Sequence, residues 1–347
     1  MKILILWASL ADYTVACFRA LSQKQNVKIM LIYQPASIIA PFNQFDLSFC
    51  HSSFVDNEEQ KINYELAIRD FNPDTILMAS WNFRHFMRIA KQYKKTGTLV
   101  ISAFDNQWQN TLKQKLGVIT SNWFLKPAID NFLVPSDRQA HFAIKLGYPQ
   151  PYTGFYCANS TNFENINYNP ATRNFLFIGR LIEQKGVRNL IAAYQQYRKK
   201  VEQPWGLIVA GSGELRPLFE NIPGVELKSF VQPEELSKLM NEASCFVLPS
   251  LHENWGLVIH EAALSKLPII CTINCGASTW FVRDGQNGYV INRTSEALLN
   301  AMYKIHETPL DKLHDFSDYS YQLAQLWTVE RWANYIYKSL LNIVRTI

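Results

Sequence analysis

The sequence has 347 residues, more than one ordinary domain, and its hydrophobic content of 48% is enough to bury more than one core. Aromatic residues make up 13% and charged residues 18%, a composition that excludes an intrinsically disordered or fibrous protein. The net charge of +5 permits anionic ligands or an acidic membrane surface, but it is too small to require nucleic acid, and we expect no nucleic-acid partner.

The cysteines are spread thinly over the chain, without the dense spacing of a disulfide-stapled secreted domain, which is typical of a reduced cytosolic protein. Cys271 and Cys275 lie close together, but no second Cys or His pair is near enough in sequence to complete four ligands, so we predict no metal site. The longest apolar runs fall short of the roughly 18 residues that span a bilayer, so we expect no transmembrane helix.

The first predicted element, within residues 3–11, fits either a buried strand or the apolar core of a short secretory signal. An amphipathic stretch with Val15, Phe18 and Leu21 follows, and then a second strand over 27–33. Strand, helix and strand in this order open a parallel βα unit, which favours the strand.

Alternating strand and helix patterns continue through the chain and predict an α/β fold. In the first half, we predict strands over 75–79, 98–103 and 132–134, and helices after residue 82 and near residue 110. In the second half, we predict strands over 174–178, 206–210, near 225, over 245–248, 268–271 and 288–291, and helices over 187–197, 233–242, from 257, and over 295–307.

Glycine, proline and asparagine are frequent around residues 147–172, which indicates a connection between two domains. We predict doubly wound, Rossmann-like domains over 1–160 and 161–328 that face a central cleft, because ligands of such sheets bind outside the carboxyl ends of the strands. Residues 329–347 contain a helix that packs either back across the seam or within the second domain. Its apolar side chains at helical spacing are Trp332, Ile336, Leu340 and Ile343.

The first informative motif is a buried strand that ends at Gly179, followed by Arg180 and Lys185 at the entry to a helix. Arginine offers a bidentate fork and lysine a compact charge, a combination that suits a diphosphate. A pair of solvated cations at a strand end is the alternative. The Gly211-Ser-Gly213 turn after the next strand is a weak signal alone, since neither a dinucleotide fingerprint nor a P-loop follows.

The third motif is the most informative and contains Glu253 and Glu261, separated by seven residues, around a helix that opens at Gly256 and Leu257. The N-terminus of a helix binds phosphate oxygens through its backbone N–H groups, and a carboxylate accepts two hydrogen bonds from paired sugar hydroxyls. Two solvated or capping glutamates are the alternative interpretation.

In order and spacing, these motifs of the second half resemble those of the retaining GT-B glycosyltransferases of family 4. The segments that carry the resemblance are Gly179-Arg180 with Lys185-Gly186, Gly211-Ser-Gly213, Phe230, Pro249-Ser250, Glu253 with Glu261, and Asp284-Gly-Gln-Asn-Gly288.

The resemblance implies a role for each of these positions. Arg180 and Lys185 would bind the donor diphosphate, Glu261 the nucleotide ribose, and Glu253 the donor sugar. The remaining donor-binding positions are Gly179 and Gly211, the backbone of Asn254, Trp255, Gly256 and Leu257 around the sugar and phosphate, and Phe230 and Val231 beside the base.

Candidate residues of the first domain follow its strands. Asp105 is the main candidate, as the group that orients an acceptor hydroxyl or accepts its proton, and a cap of the following helix is the alternative. Weaker candidates are Asn106, Trp108, Trp81, Asn82 and His85, and we assign Tyr156 and Cys157 to the hinge.

Positive charge is concentrated in the first half, where 16 basic and 12 acidic residues up to residue 168 leave +4, against +1 for the remainder. The lysines concerned are Lys91, Lys94, Lys95, Lys113, Lys115 and Lys126. This distribution fits either docking to an anionic membrane that carries a lipid-linked acceptor or a solvated helix face.

We therefore predict a metal-independent, retaining hexosyltransferase, without a cofactor, that moves a sugar from a nucleoside diphosphate donor, UDP before GDP, to a hydroxyl of a glycan or lipid-linked acceptor. Its expected place is surface polysaccharide or glycoconjugate biosynthesis, in the cytoplasm or peripherally at the cytoplasmic membrane face. The alternatives are a non-catalytic scaffold or binding protein of the same fold and a glycoside phosphorylase.

Overall fold

The computed structural model describes residues 1–35, 42, 45–164 and 166–344, without the side chains of 342–344. Residues 345–347 of the predicted C-terminal segment and the side chain of Ile343 therefore lie outside the described residues. The chain divides into two compact units. Unit 1 contains Met1–Cys157 and the helix that begins at Val329, and unit 2 contains Ala158–Thr328.

Strands and helices alternate along both units. The strands are β1 (Lys2–Trp7), β2 (Lys28–Tyr33), β3 (Ser52–Val55), β4 (Thr75–Ala79), β5 (Leu99–Ala103), β6 (Asn131–Val134), β7 (Tyr152–Thr153), β8 (Asn174–Ile178), β9 (Gly206–Ala210), β10 (Val225–Lys228), β11 (Cys245–Leu248), β12 (Ile269–Thr272) and β13 (Gly288–Ile291). The helices are α1 (Asp12–Ser22), α2 (Glu58–Phe71), α3 (Arg84–Lys94), α4 (Leu112–Phe124), α5 (Asp137–Lys145), α6 (Val187–Lys200), α7 (Pro233–Asn241), α8 (Leu257–Leu264), α9 (Ser278–Phe281), α10 (Ser295–Glu307), α11 (Leu310–Gln325) and α12 (Val329–Val344).

Each unit is built on one parallel sheet. In the described part of unit 1 the strand order is β3-β2-β1-β4-β5-β6-β7, and in that of unit 2 it is β10-β9-β8-β11-β12-β13. The order reverses between β1 and β4 and between β8 and β11, which is the pattern of doubly wound sheets. The predicted fold class is confirmed for both units.

The first strand is buried at the centre of the sheet of unit 1. Its residues 3–6 are fully buried, and β1 pairs in parallel with β2 on one side and β4 on the other. Strands covered on both faces are continuous apolar runs, which explains the unbroken hydrophobic stretch at this position. The strand interpretation of residues 3–11 is confirmed, and the strand ends at Trp7.

Polar side chains define where several helices begin. Asn57 accepts a hydrogen bond from the backbone of Gln60 at the start of α2, and Thr294 accepts one from Ala297 at the start of α10. These contacts satisfy backbone N–H groups that have no partner inside the helix. Pro233 occupies the first turn of α7, where its missing N–H costs nothing.

The last helix packs in unit 1. Indole Nε1 of Trp332 donates to the carbonyl oxygen of Phe155 at 2.8 Å, and its ring lies 6.4 Å from that of Phe18 in α1. Lys24 and Glu330 form an ion pair between α1 and α12. Unit 1 therefore consists of two separate stretches of the chain, with unit 2 inserted between them.

Six of the described elements were not predicted: β3, α2, α5, β7, α9 and α11. In α11 the buried side of the helix includes Ser317 and Ser320, so its apolar periodicity is interrupted. In α2, Ile62 and Leu66 are exposed, which places apolar residues on both sides of the helix. None of the helices in the described ranges combines the length and apolar character needed to cross a bilayer.

His260 in α8 is fully buried in unit 2 and is hydrogen-bonded at both ring nitrogens. Its Nδ1 accepts from the backbone N–H of Ala158 at 3.1 Å, and its Nε2 donates to the carbonyl oxygen of Ala324 at 3.2 Å. The ring stacks on Phe281 with centroids 4.1 Å apart. Burial lowers the pKa of His260 from 6.5 to about 4, so the imidazole is neutral at physiological pH.

Candidate functional site

The residues predicted to bind the donor follow four neighbouring strands of unit 2. Gly179 and Arg180 follow β8, Gly211 follows β9, Phe230 follows β10, and Glu253 follows β11. In a parallel sheet these positions share the carboxyl edge. The order β10-β9-β8-β11 includes the point where the sheet reverses, which is where doubly wound sheets bind ligands.

Lys185 and Glu253 form an ion pair at this reversal point. Lys185 closes a short 3₁₀ turn between β8 and α6, and its Nζ donates to Oε2 of Glu253, which lies after β11. The two side chains are only 14% and 13% exposed. Ser250 Oγ also donates to Oε2 of Glu253 at 3.3 Å. The pair is therefore held in place by loops from both sides of the strand reversal.

Helix α8 begins directly after this pair. Gly256 occupies the N-cap position with φ of +85°, and no side chain of the described residues caps the helix. A Cβ at Gly256 would lie 3.0 Å from Cγ of Glu253, so glycine meets both a backbone and a packing requirement here. The start of α8, with its positive end, thus lies beside the carboxylate of Glu253.

The Gly211-Ser-Gly213 turn packs directly on the loop that follows β8. A Cβ at Gly211 would lie 2.0 Å from the carbonyl oxygen of Gly179, and one at Gly213 would lie 2.4 Å from that of Leu181. The backbone N–H of Leu181 donates to the carbonyl oxygen of Ser212 at 2.8 Å. The glycines thus bring two backbone loops together, a role that the weak sequence signal did not reveal.

The remaining donor candidates surround the same edge. Arg180 is exposed, Glu261 is half-buried in the second turn of α8, and Phe230 and Val231 are half-buried between β10 and α7. Trp255 is buried, Leu257 is the first residue of α8, and Oδ1 of Asn254 lies 3.0 Å from Nε2 of His252.

Asp105 belongs to unit 1 and is hydrogen-bonded to Tyr156. The Tyr156 hydroxyl donates to Oδ2 of Asp105 at 3.2 Å. Burial, followed by the charge of Asp105, raises the pKa of Tyr156 well above its usual value, so the hydroxyl keeps its proton. The alternative role of Asp105 as a helix cap is wrong, because the N-cap of α4 is Thr111, which accepts from the backbone of Gln114. The sequence assigns Tyr156 to the hinge and gives no sign of its contact with Asp105.

Three weaker candidates of unit 1 line one cavity of about 340 Å³ between α4, α5 and the loops that follow β4 and β5. These candidates are Trp81, Asn82 and Asn106. The other two weaker candidates are not among the residues that line this cavity. Trp108 packs against Phe142 at 5.5 Å, and Nε2 of His85 lies 2.8 Å from the Tyr64 hydroxyl. Burial lowers the pKa of His85.

Residues 172–308 match the family described as Glycosyl transferases group 1. Solved structures match the fold over nearly the whole chain. HepE of Anabaena, in complex with UDP and glucose, has a TM-score of 0.74 at 16% identity over 99% of this chain and 100% of that chain. The chain has the GT-B fold. Sucrose-phosphate synthase of Thermosynechococcus elongatus also gives a TM-score of 0.74 at 16% identity, over 100% of this chain and 99% of that chain.

Curated relatives share shorter segments with this chain. An uncharacterized glycosyltransferase of Methanocaldococcus jannaschii is 35% identical over 102 residues, 27% of this chain and 26% of the relative. The GtfA subunit of the UDP-N-acetylglucosamine–peptide N-acetylglucosaminyltransferase of Streptococcus pneumoniae is 24% identical over 212 residues, 57% of this chain and 42% of the relative. The chain thus spans less than half the length of these relatives.

The family match and the candidate donor residues coincide within unit 2. All residues predicted to bind the donor, from Gly179 to Glu261, lie inside the matched range 172–308. Asp105 and the cavity of unit 1 lie outside that range, in the part of the chain for which only the fold is matched.

Proposed function

We propose that this chain is a retaining glycosyltransferase of family 4 that moves a sugar from a nucleoside diphosphate, UDP before GDP, to a hydroxyl of a glycan or lipid-linked acceptor. The observation that carries the proposal is the Lys185–Glu253 ion pair beside the start of α8, at the reversal point of the sheet of unit 2. The cation and the helix N-terminus suit the diphosphate of a nucleotide sugar, and the carboxylate suits its hydroxyls.

Lys185 and the start of α8 are suited to the diphosphate. The ammonium group of lysine has three donors, so the contact with Glu253 leaves Lys185 able to donate to phosphate oxygens as well. The backbone N–H groups at the start of α8 add donors, and the positive end of the helix favours negative charge. Arg180, exposed on the loop after β8, supplies a second fixed cation.

In the proposed reaction, negative charge develops on the diphosphate as the bond to the sugar breaks. Arg180, Lys185 and α8 stabilise that charge, which is the contribution expected to dominate the rate and which requires no metal. Glu253 holds sugar hydroxyls, and Glu261 holds the ribose. The acceptor hydroxyl attacks from the face that the diphosphate leaves, so the anomeric configuration is retained without an enzymic nucleophile.

We assign the acceptor to unit 1. The cavity of about 340 Å³ combines aromatic surface from Trp81 and Phe142 with the amides of Asn82 and Asn106, a chemistry suited to sugar rings and their hydroxyls. Asp105, held by the Tyr156 hydroxyl, orients the acceptor hydroxyl or accepts its proton. The proposed place of the enzyme is surface polysaccharide or glycoconjugate synthesis, in the cytoplasm and peripherally at the membrane.

A nucleotide screen tests the donor assignment. Thermal unfolding is measured with UDP, GDP, ADP and their sugars, because a ligand that binds only the folded state raises its apparent stability. At a concentration 100 times its Kd, the preferred nucleotide adds about 2.7 kcal/mol. We expect UDP to give the largest shift. The absence of a shift with every nucleotide would refute the donor site.

Variants of the ion pair test the assigned chemistry. Lys185→Ala and Glu253→Ala should each abolish transfer, whereas Lys200→Ala, at an exposed position in the last turn of α6, should leave it unchanged. Circular dichroism and donor binding separate loss of the fold from loss of chemistry. Full transfer activity in either variant of the pair would contradict the proposal.

A further inference from the structure

Helix α4 of unit 1 exposes an apolar stripe. Four of its side chains are largely exposed: Leu112 at 79%, Leu116 at 63%, Ile119 at 65% and Trp123 at 76%. At about 100° per residue, these four positions fall within an arc of about 60°. Among the 13 residues of α4, all of which the structure describes, only Ser121 is buried, and it lies on the opposite side of the helix. The stripe therefore points away from the unit to which α4 belongs.

The charge of α4 indicates what the stripe contacts. Its sequence contains Lys113 and Lys115, and no acidic residue occurs between Asp105 and Asp130. Both lysines are exposed and lie in the first turns of the helix, where a positive charge is unfavourable because the N-terminus already carries the positive end of the dipole. By the same angular spacing, they lie on either side of the stripe.

The other lysines of the predicted basic cluster differ in their contacts. Lys94 forms an ion pair with Asp130 at 2.8 Å, and Nζ of Lys126 lies 3.8 Å from the centre of the Tyr148 ring and donates to the carbonyl oxygen of Gly147. These two lysines have partners inside unit 1. Lys91 and Lys95 are exposed but lie outside α4, so the positive charge beside the apolar stripe comes from Lys113 and Lys115.

We propose that α4 is a membrane-docking helix that lays Leu112, Leu116, Ile119 and Trp123 into the surface of an anionic lipid bilayer. An apolar stripe flanked by lysines, with a tryptophan near one end, is the pattern of helices that lie in the membrane interface. A second copy of the chain is a less suitable partner for the stripe. Pairing two such helices would bring their lysines together without acidic partners on α4.

Membrane docking rests on the proposed function and adds a lipid partner to it, because α4 also forms one wall of the cavity assigned to the acceptor. Lys113, Gly117 and Phe124 line that cavity. A bilayer against the exposed side of α4 therefore holds a lipid-linked acceptor next to the cavity. Docking itself requires no glycosyl transfer, so it can be measured independently.

The test is sedimentation of the full chain with vesicles of equal parts phosphatidylcholine and phosphatidylglycerol, and with vesicles of phosphatidylcholine alone. We expect binding to the anionic vesicles that weakens as salt is added. The variant Leu116→Gln with Trp123→Gln should bind at least roughly tenfold more weakly. Lys113→Gln with Lys115→Gln should bind roughly 25-fold more weakly, at roughly fivefold for each lysine.

The matched control is Ile62→Gln with Leu66→Gln in α2. These residues are also exposed and one helical turn apart, but α2 carries Glu58, Glu59 and Glu65. This variant should bind vesicles as the unchanged protein does. Unchanged far-UV circular dichroism of all variants excludes misfolding.

Three results would overturn the inference: no binding to anionic vesicles, equal binding by the α4 variants, or a dimer that the stripe variant abolishes while vesicles are not bound. The thermal shift with UDP distinguishes this failure from a failure of the proposed function. The α4 variants should keep the UDP shift whether or not they bind vesicles. A protein that binds vesicles but no nucleotide would refute the donor site and leave the docking helix intact.

Discussion

His260 should make unit 2 lose stability on mild acidification. The folded pKa of about 4 lies below the ordinary value of 6.5, so between these values the unfolded chain takes up a proton that the folded chain does not. The contribution of the neutral His260 imidazole to the stability of unit 2 is complete above pH 6.5 and is lost as the pH falls towards 4. Over the full interval the loss amounts to about 3 kcal/mol, and at pH 5 it reaches about 2 kcal/mol.

Protonation is unfavourable because the partners of both ring nitrogens match the neutral imidazole. Nδ1 already accepts from the N–H of Ala158, Nε2 donates to the carbonyl oxygen of Ala324, and the site is fully buried. A protonated Nδ1 would face the N–H of Ala158, which is also a donor. The site would then contain a buried charge and two opposed donors.

Differential scanning calorimetry at pH 7.5 and pH 5 measures the effect. For a domain of this size, 2 kcal/mol corresponds to a fall in Tm of about 4–8 °C. His260→Gln should unfold at a lower temperature at pH 7.5 but lose about 4–8 °C less than the unchanged protein on acidification. Phe281→Leu is the control, because it removes the stacking partner and keeps the imidazole. Equal acid sensitivity of His260→Gln and the unchanged protein would refute the reasoning.

Three further predictions follow from packing and charge. Gly211→Ala should lower the free energy of unfolding by about 3 kcal/mol, since its Cβ would lie 2.0 Å from a carbonyl oxygen. Gly285→Ala, whose Cβ would have nothing within 4 Å, should lower it by about 1 kcal/mol. Equal losses in urea unfolding would contradict this prediction. Single replacements of Lys185 and Glu253 should each lower the free energy of unfolding by about 2 kcal/mol. The double variant should lose less than the sum of the two single losses, and a double-mutant cycle measures the difference. Trp332→Phe should destabilise unit 1 by about 1–3 kcal/mol, and an unchanged Tm would show that its buried hydrogen bond contributes nothing.

The sequence predicts the central strands better than the peripheral elements. The predicted strands over 174–178 and 245–248 coincide with β8 and β11, because strands covered on both faces are uninterrupted apolar runs. Helix α11 escaped prediction because Ser317 and Ser320 are on its buried side. Local periodicity identifies an element only where burial follows hydrophobicity.

The candidate site shows the same limit. Local motifs indicate both Lys185 and Glu253, but their ion pair joins residues 68 positions apart and depends on the order of the strands. The contact between Tyr156 and Asp105 spans 51 positions and has no local signature. The sequence thus indicates which residue types carry chemistry, and the topology determines which of them meet. Their roles in donor and acceptor binding stay predictions.

The return of α12 to unit 1 has a consequence for the order of folding during synthesis. The residues of unit 2 are contiguous, so the fold of this unit does not wait for α12. Unit 1 starts first, but until Trp332 emerges the carbonyl oxygen of Phe155 lacks its indole donor and α1 lacks its neighbour. The part of the chain that is made first is therefore completed last.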